Sequence, residues 1–299
     1  MSKSSKSGGL KLRGLPLNGR TAALRVLLLV DQGMSAQQAL AAVLDAPVPR
    51  YDGFRHQDTP QGRHHAGRHT GHHTGSVSYT HLDVYKRQVL ALREFAEDKY
   101  FLFVTKRGMV KRSSASLYAR CRKTGLMAVG LREDDELVVV RPIREDSHIV
   151  LATADGIAIR FSCRDVRPMG RVATGVKGIA LRRQDFVVAG VIVKETDQTT
   201  EIMSISANGY GKRTSVDLYR LQSRGGKGII NFKVTGKTGP VVGAMPVRDN
   251  DGLILLTSAN KIVRISVDEV RTKGRATMGV MLVRLDEGGH VVGLSLIHI

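Results

Sequence analysis

The chain has 299 residues, of which 42% are hydrophobic and 24% charged, so it is long enough for one large or two small domains with a buried core. Its 46 Lys and Arg against 27 Asp and Glu give a formal net charge of +19. Such an excess favours a polyanionic partner, first of all nucleic acid, over a small neutral substrate. The sequence has neither an apolar run of transmembrane length nor a basic amphipathic helix in its main body, so we expect no membrane partner.

The chain begins with a basic, polar stretch, and we expect residues 1–17 to be disordered. This stretch is not followed by the apolar core and small-residue cleavage site of a secretion signal. The two cysteines, Cys121 and Cys163, lack CxxC spacing, which argues against a disulfide framework and a zinc site. We therefore predict a cytoplasmic protein with no metal and no cofactor.

Residues 18–46 are predicted to form a helical hairpin. Leu24, Leu27 and Leu28 fall at i, i+3 and i+4, Gly33 ends the first helix, and Ser35 is placed to cap the second. The piece weakly resembles the opening of the helical RNA-binding domain that precedes bacterial ribosomal-RNA cytosine methyltransferases. A methyltransferase fragment is thus one alternative, although no cofactor-binding βαβ unit with a glycine loop appears in the chain.

Residues 47–96 have the composition of a disordered linker. Six of the ten histidines occur in 51–75 among Gly, Arg and Thr, without the scaffold or partner ligands that a metal site needs. The following stretch, VSYTHLDVYKRQ, resembles a peptide produced when sequencing-adapter DNA is translated, and the ending LSLIHI at 294–299 resembles it in origin. We expect an artificial junction in the linker and an artefactual tail; the alternative is an authentic linker with an exposed strand.

From residue 97 the sequence repeats at intervals of about fifty residues. Four segments align: KYFLFVTKRGMVKR, HIVLATADGIAIRF, EIMSISANGYGKRT and GLILLTSANKIVRI. Each reads as a β-hairpin around a two-residue turn, because Asp-Gly and Asn-Gly favour the positive φ that such turns need. The predicted turn pairs are Arg107-Gly108, Asp155-Gly156, Asn208-Gly209 and Asn260-Lys261, which places Gly108, Gly156, Gly209 and Lys261 at equivalent positions.

Each hairpin is followed by a glycine-rich basic stretch and then by a further apolar strand. Aligning the glycine-rich stretches places Ala128, Gly178, Gly228 and Gly279 in register, at spacings of 50, 50 and 51 residues. About four strands per repeat is the size of a propeller blade, and single blades need neighbours to bury both faces. We therefore predict a mainly β, propeller-like domain over 97–293 with about four blades, at 97–146, 147–196, 197–248 and 249–293.

Basic residues recur at matching points of the four units. A feature that repeats once per blade forms a stripe along the assembly, and a basic stripe on a curved rim could track a phosphate backbone. The candidate contacts after the hairpin turns are Lys111, Arg112, Arg160, Lys212, Arg213 and Arg264. Those in the glycine-rich stretches are Arg171, Lys177, Gln222, Arg224, Gly225, Gly226, Lys227, Gly228, Lys273 and Arg275.

The passages FVTKRGMVKR, RFSCRDVRPMGRVATGVKGI, ANGYGKRTSVDLY and SRGGKGIINFKV resemble the C-terminal DNA-wrapping domain family of the bacterial DNA gyrase A protein. The family's signature box reads Gln-Arg-Arg-Gly-Gly-Lys-Gly. Residues 222–228 match it except for Ser223, although the context of this copy resembles the penultimate blade, where the family has a degenerate echo of the box.

This resemblance implies a β-pinwheel, in which neighbouring blades exchange a strand, and a partner, double-stranded DNA, that bends around the basic rim to support negative supercoiling. It also implies association with the gyrase A cleavage core and the gyrase B subunit in an intact parent. The chain lacks the context of the DNA-cleaving tyrosine, so we expect no catalytic residue and no activity of the chain on its own. The C-terminal domain of topoisomerase IV and a protein-binding propeller are the remaining alternatives.

Overall fold

The structure is a computed structural model that describes residues 95–96, 98–120 and 125–297. The predicted helical hairpin at 18–46 and nearly all of the predicted linker at 47–96 lie outside these residues. Within the described residues the regular elements are 15 β-strands and short 3₁₀ turns. No helix in this part of the chain has the length and apolarity that a membrane crossing requires.

In each of the first two repeat units, the hairpin and the closing strand lie in the same sheet, and each unit has its own sheet. The strands of the first unit are β1 (Tyr100–Thr105), β2 (Met109–Ser114) and β3 (Leu137–Ile143). Those of the second unit are β4 (Ser147–Thr153), β5 (Ile157–Ser162), the two-residue β6 (Val176–Lys177) and β7 (Val187–Lys194).

The third and fourth units repeat this order. The third contributes β8 (Glu201–Ser206), β9 (Tyr210–Ser215), β10 (Ile229–Ile230) and β11 (Val241–Val247). The fourth contributes β12 (Gly252–Thr257), β13 (Ile262–Ser266), β14 (Val280–Met281) and β15 (Val291–Ile297). The predicted four-blade, mainly β fold is confirmed, and β15 includes residues of the ending predicted to be an artefactual tail.

Neighbouring sheets exchange their short strands. The sheet orders are β3-β1-β2-β6, β10-β5-β4-β7, β11-β8-β9-β14 and β13-β12-β15. Thus β6, β10 and β14 each leave their own unit and pair antiparallel with the second hairpin strand of the preceding unit. Each of the first three blades is completed by the next, which is the strand exchange that the family resemblance implied.

The hydrophobic core lies between adjacent sheets. One cluster joins the first two sheets through residues such as Leu102, Val104 and Ile149, each fully buried. Another joins the third and fourth sheets through Met203, Ile205 and others. Because every sheet buries both of its faces, except at the two ends of the series, no blade has a complete core of its own.

The closing strands mark the centre of the assembly and the exchanged strands mark its periphery. The closing strand β7 contacts both β3 and β11, and β11 also contacts β15. These four strands lie at one edge of their sheets, whereas β6, β10 and β14 lie at the opposite edge. The segments that carry the exchanged strands therefore run along the outside.

Candidate nucleic-acid interface

The exchanged strands bring a glycine of each unit against the backbone of the preceding unit. A side chain on any of three glycines would overlap a carbonyl oxygen: Gly175 against Val110, Gly228 against Ala158, and Gly279 against Gly211. All three also have positive φ. These contacts define the equivalent positions of the repeats, at spacings of 53 and 51 residues.

Two alignments made from the sequence are wrong. Gly178 is not equivalent to Gly228, because the glycine that approaches the preceding strand in the second unit is Gly175, three residues earlier. In the fourth hairpin the positive-φ position is Asn260, with φ of 57°, and not Lys261. Asn260 donates its backbone N–H to Thr257 O as Gly209 donates to Ser206 O, so the fourth hairpin shifts by one residue.

The corrected register places Lys111 and Lys212 at one position, and both side chains are buried. The Lys212 ammonium donates to the carbonyl oxygens of Gly274 and Arg275, and to Thr277 Oγ1 at 3.3 Å. Lys111 donates in the same way to Ala128 O and Arg171 O. Both predicted phosphate contacts therefore tie neighbouring units together, and burial keeps them from a phosphate outside.

Three arginines at the next position bind the 3₁₀ turn of the following unit. Arg160 Nη1 donates to Val216 O at 3.0 Å and Tyr219 O at 3.3 Å. Arg213 Nε donates to Val270 O, and Arg112 Nη1 lies 3.7 Å from Cys163 Sγ. Arg112 and Arg213 also pair with carboxylates, at Glu145 and Glu201. These arginines hold the chain crossing between blades, a role that the sequence analysis did not anticipate.

The box-like stretch at 222–228 is also engaged with the preceding unit. Gly225 N donates to Gly178 O at 2.7 Å, and Gly226 O accepts from Ala180 N at 2.9 Å. The half-buried Arg224 donates from Nε to Asp165 O and from Nη1 to Lys177 O.

The other members of the box have structural contacts as well. Gln222 N donates to Arg160 O at 2.9 Å. Arg275 lies outside the box, at the position of Arg224 in the fourth unit. Its Nη1 donates to Ile230 O at 2.8 Å, as Arg224 Nη1 donates to Lys177 O. The box glycines thus make close backbone contacts between blades, and whether they also contact phosphate stays a prediction.

The side chains of five other predicted contacts do not join neighbouring units. Lys177, Lys227 and Arg171 are exposed, Lys273 is half-buried, and Arg264 is exposed at the end of the series. None of these five side chains has a hydrogen-bond or ion-pair partner within the described residues. They remain candidates for binding an outside ligand.

One periodic set of arginines was not among the predicted contacts. Arg167, Arg220 and Arg271 are spaced by 53 and 51 residues, follow the 3₁₀ turns, and are all exposed. They occupy the same place in three successive units, without a partner side chain in the described part of the chain. Their spacing would identify them from the sequence only if the repeats were aligned by the glycines that contact the preceding unit.

The positive charge is concentrated in the segments that connect each hairpin to its closing strand. These connecting segments, 115–132, 163–183, 216–237 and 267–284, carry 19 Lys and Arg and four Asp and Glu. The rest of 89–299 carries 15 basic and 18 acidic residues. Three of these segments include an exchanged strand at the outer edge of a sheet, so the described periphery is basic, whereas the rest of 89–299 has a slight excess of acidic residues.

The described residues contain no group of three or more His, Cys, Asp or Glu placed to hold a metal ion. The cavity beside the box is lined by Arg182 and Lys227 together with the backbone of the exchanged strand β10. Cations that recur along the perimeter suit an extended anionic ligand better than a small substrate.

Fold and charge together define a propeller-like repeat protein whose blades exchange strands and whose perimeter is basic. A family profile described as "DNA gyrase C-terminal domain, beta-propeller" matches four successive stretches, at 99–144, 147–194, 200–248 and 253–298. The chain belongs to this family of DNA gyrase C-terminal domains. The four matched stretches coincide with the four structural units.

Curated relatives support the same assignment. The DNA gyrase A protein of Lawsonia intracellularis is 61% identical over 227 residues, which is 76% of this chain and 28% of the relative. The DNA gyrase A protein of Staphylococcus epidermidis strain ATCC 12228 is 43% identical over 196 residues, 66% of this chain and 22% of the relative. The chain thus spans roughly a quarter of the length of the relatives it matches.

Solved structures show the same fold. The "C-terminal domain of DNA topoisomerase IV" matches with a TM-score of 0.65 and 26% identity, covering 69% of this chain and 64% of that chain. The "DNA gyrase A C-terminal domain" matches with a TM-score of 0.62 and 27% identity, covering 69% and 68%. The structural likeness does not separate gyrase from topoisomerase IV, whereas the 61% sequence identity favours gyrase A.

Proposed function

We propose that the chain binds duplex DNA along its basic perimeter and bends it, as the wrapping module of a gyrase A protein. The observation that carries the proposal is the separation of charge, with 19 basic and four acidic residues in the connecting segments. Membership of the DNA gyrase C-terminal domain family supports it. The contacts we propose are the unpartnered cations Arg167, Arg171, Lys177, Arg220, Lys227, Arg264, Arg271 and Lys273, with Arg224 and Arg275 beside them.

Electrostatics would supply most of the affinity. Each phosphate that a Lys or Arg neutralises releases condensed counterions, so log K falls with log salt by about 0.9 per contact. With two or three unpartnered cations in each of the second, third and fourth units, we expect a slope of about −4 to −8. The described residues form no α-helix that could enter a groove of the duplex, so binding through them should depend little on base sequence.

Curvature would follow from the arrangement of the blades. Consecutive units present equivalent arginines such as Arg167, Arg220 and Arg271 around the outside of the closing strands. A duplex that contacts all of them must bend, and bending a short site by 40 to 90° costs about 1 to 6 kcal/mol. A continuous row of contacts can offset that cost, whereas a single patch cannot.

A salt titration of DNA affinity tests the proposal. We expect replacement of Arg167, Arg220 and Arg271 by Gln to weaken binding of a duplex of about 40 base pairs and to reduce the magnitude of the salt slope by about 2 to 3. The matched control replaces three exposed cations outside the connecting segments, Arg107, Arg141 and Lys194, by Gln. Equal losses in both triple variants would mean that net charge, and not the perimeter, determines binding.

The proposal also covers the location, the partners and the activity of the chain. We propose that the chain acts in the cytoplasm beside the gyrase A cleavage core and the gyrase B subunit, and that by itself it neither cleaves nor supercoils DNA. Relaxation of a supercoiled plasmid by the purified chain would contradict the second part. Gyrase is preferred to topoisomerase IV on the sequence identity of the relatives.

A protein-binding propeller is the second candidate, because propellers of this size commonly bind proteins. The basic perimeter argues against it. The titration separates the two, since affinity for DNA that is weak and independent of salt would favour a protein partner. The methyltransferase alternative depends on residues 18–46, outside the described part, and remains a prediction from resemblance alone.

A further inference from the structure

The arginines that hold the chain crossings meet a different side chain in each of the first three units. The first strand of each hairpin places Tyr100 beside Arg112, His148 beside Arg160 and Glu201 beside Arg213. The Arg112 guanidinium lies 4.6 Å from the centre of the Tyr100 ring, and Arg213 pairs with Glu201 at 3.1 Å. Arg160 Nη2 lies 2.9 Å from His148 Nδ1. The crossing from the second blade to the third therefore depends on an imidazole.

The contact between His148 and Arg160 requires a neutral ring. A guanidinium has donors and no acceptor, so Arg160 Nη2 donates and His148 Nδ1 accepts. The proton of the neutral imidazole then lies on Nε2, which is 3.8 Å from Glu195 Oε1. A second proton, on Nδ1, would place a donor and a positive charge against the guanidinium.

The Arg160 guanidinium joins His148 to the third unit. Its Nη1 donates to Val216 O at 3.0 Å and to Tyr219 O at 3.3 Å, and these contacts hold the 3₁₀ turn Val216–Leu218. Its Nε is buried and has no hydrogen-bond partner in the described part of the chain. Loss of the acceptor on His148 would leave a second N–H group unpaired, which is costly in a buried contact.

The charged groups around His148 favour the neutral ring on balance. His148 is 8% exposed, and this burial, together with Arg160 on β5 and Arg164 in the 3₁₀ turn that follows, lowers the pKa of His148 below 6.5. Glu195, which follows β7, acts in the opposite direction, although it also pairs with Arg164 at 3.7 Å. Asp217, in the turn that Arg160 holds, favours the charge on Arg160.

The side chains at the other two crossings belong to classes that keep their charge near neutral pH. A phenol stays neutral and a carboxylate stays ionised between about pH 5 and 8, whereas an imidazole changes its charge in that range. Mild acid should therefore act on the crossing at Arg160 and not on those at Arg112 and Arg213.

We propose that His148 makes the crossing from the second blade to the third sensitive to acid. A proton taken up from solvent by His148 Nδ1 removes the acceptor of Arg160 Nη2, so that the guanidinium moves away from the ring and releases the turn Val216–Leu218. Arg220 follows this turn, so the release also loosens one of the outer cations. That consequence for DNA rests on the proposed function, whereas the opening of the crossing does not.

The sign of the pH dependence follows from the lowered pKa of His148. The folded protein takes up the proton at lower pH than the unfolded chain, whose histidine has a pKa of about 6.5. The contact is therefore intact above about pH 6.5 and is lost as pH falls through the folded-state pKa.

Amide hydrogen exchange of the full chain without DNA, read by mass spectrometry at about pH 7.5 and about pH 5, tests the proposal. After correction for the chemical exchange rate at each pH, we expect the protection of 216–222 to fall about three- to tenfold at the lower pH. The segments 163–169 and 267–273, which Arg112 and Arg213 hold, are internal references and should change less. Equal changes in all three segments of the wild type would overturn the proposal.

His148→Gln separates the charge from the contact, because a glutamine offers Arg160 an acceptor that takes up no proton. This variant should keep the protection of 216–222 at about pH 5. His290→Gln is the matched control, since it makes the same replacement in the fourth unit and should leave the wild-type change in place. A loss of protection that persists in His148→Gln would contradict the proposal. Because no DNA is present, the result is independent of whether the chain binds DNA.

Discussion

Lys111 and Lys212 hold their ammonium groups inside the protein, where they donate to carbonyl oxygens of the following unit, at Arg171 and Gly274. Burial and, to a smaller extent, the nearby Arg275 together lower the pKa of Lys212 to about 7. Burial likewise lowers the pKa of Lys111 to about 8. Such lysines stabilise the contact between blades while carrying a cost for the buried charge.

Stability should therefore depend on pH through Lys212. Its folded-state pKa lies below the value of 10.5 for a free lysine, so the unfolded chain binds more protons between pH 7 and 10.5. The cost of the buried charge is fully present below pH 7 and is relieved as pH rises. We expect the free energy of unfolding of the wild type, relative to Lys212→Met, to increase by about 1 to 2 kcal/mol from pH 7 to pH 9.

Urea unfolding at several pH values measures this difference. Lys227→Met is the control, because it makes the same replacement at an exposed position. A Lys212→Met difference that falls as pH rises would contradict the account. The sequence could not reveal that Lys212 joins two blades. A lysine that follows a hairpin turn gives the same sequence pattern whether its ammonium group faces solvent or a carbonyl oxygen of the next blade.

The exchanged strand is the element that joins the units. In β10 the approach depends on Gly228, which has φ of 72° and lies against Ala158 O. We expect Gly228→Val to destabilise the fold by about 2 to 4 kcal/mol, through the strained φ and the overlap with the preceding strand. Gly236→Val should change stability by less than about 0.5 kcal/mol, because nothing lies within 4 Å of Gly236. Denaturant midpoints of the two variants compare them, and equal losses would count against the contact.

The hairpins could be predicted from sequence because their signals are local. Asp-Gly, Asn-Gly and the Arg107-Gly108 pair between apolar runs located three turns correctly, and only the fourth shifted, where Asn260 takes the positive-φ position without a glycine. The register of the exchanged strands could not be predicted in this way. In the stretch GVKG both Gly175 and Gly178 fit the pattern, and only the contact of Gly175 with a strand about 65 residues earlier decides between them.

At the scale of the whole molecule, the number of blades and the basic character were apparent from repeat length and composition. It was not apparent which cations join the blades and which lie on the outside. Lys111 and Lys212 fill the contacts between blades, whereas Arg167, Arg220 and Arg271 repeat on the outside. The proposed interface therefore depends on the connecting segments more than on the hairpins.

The central claim is that the outer cations act together to curve a duplex. It is tested most directly by energy transfer between dyes at the two ends of a DNA duplex of about 60 base pairs, titrated with the chain at low salt. We expect the transfer to rise on binding, because the ends approach as the duplex follows the perimeter, and to be lost in the variant that replaces Arg167, Arg220 and Arg271 by Gln. Tight binding with no change in the distance between the ends would contradict the claim.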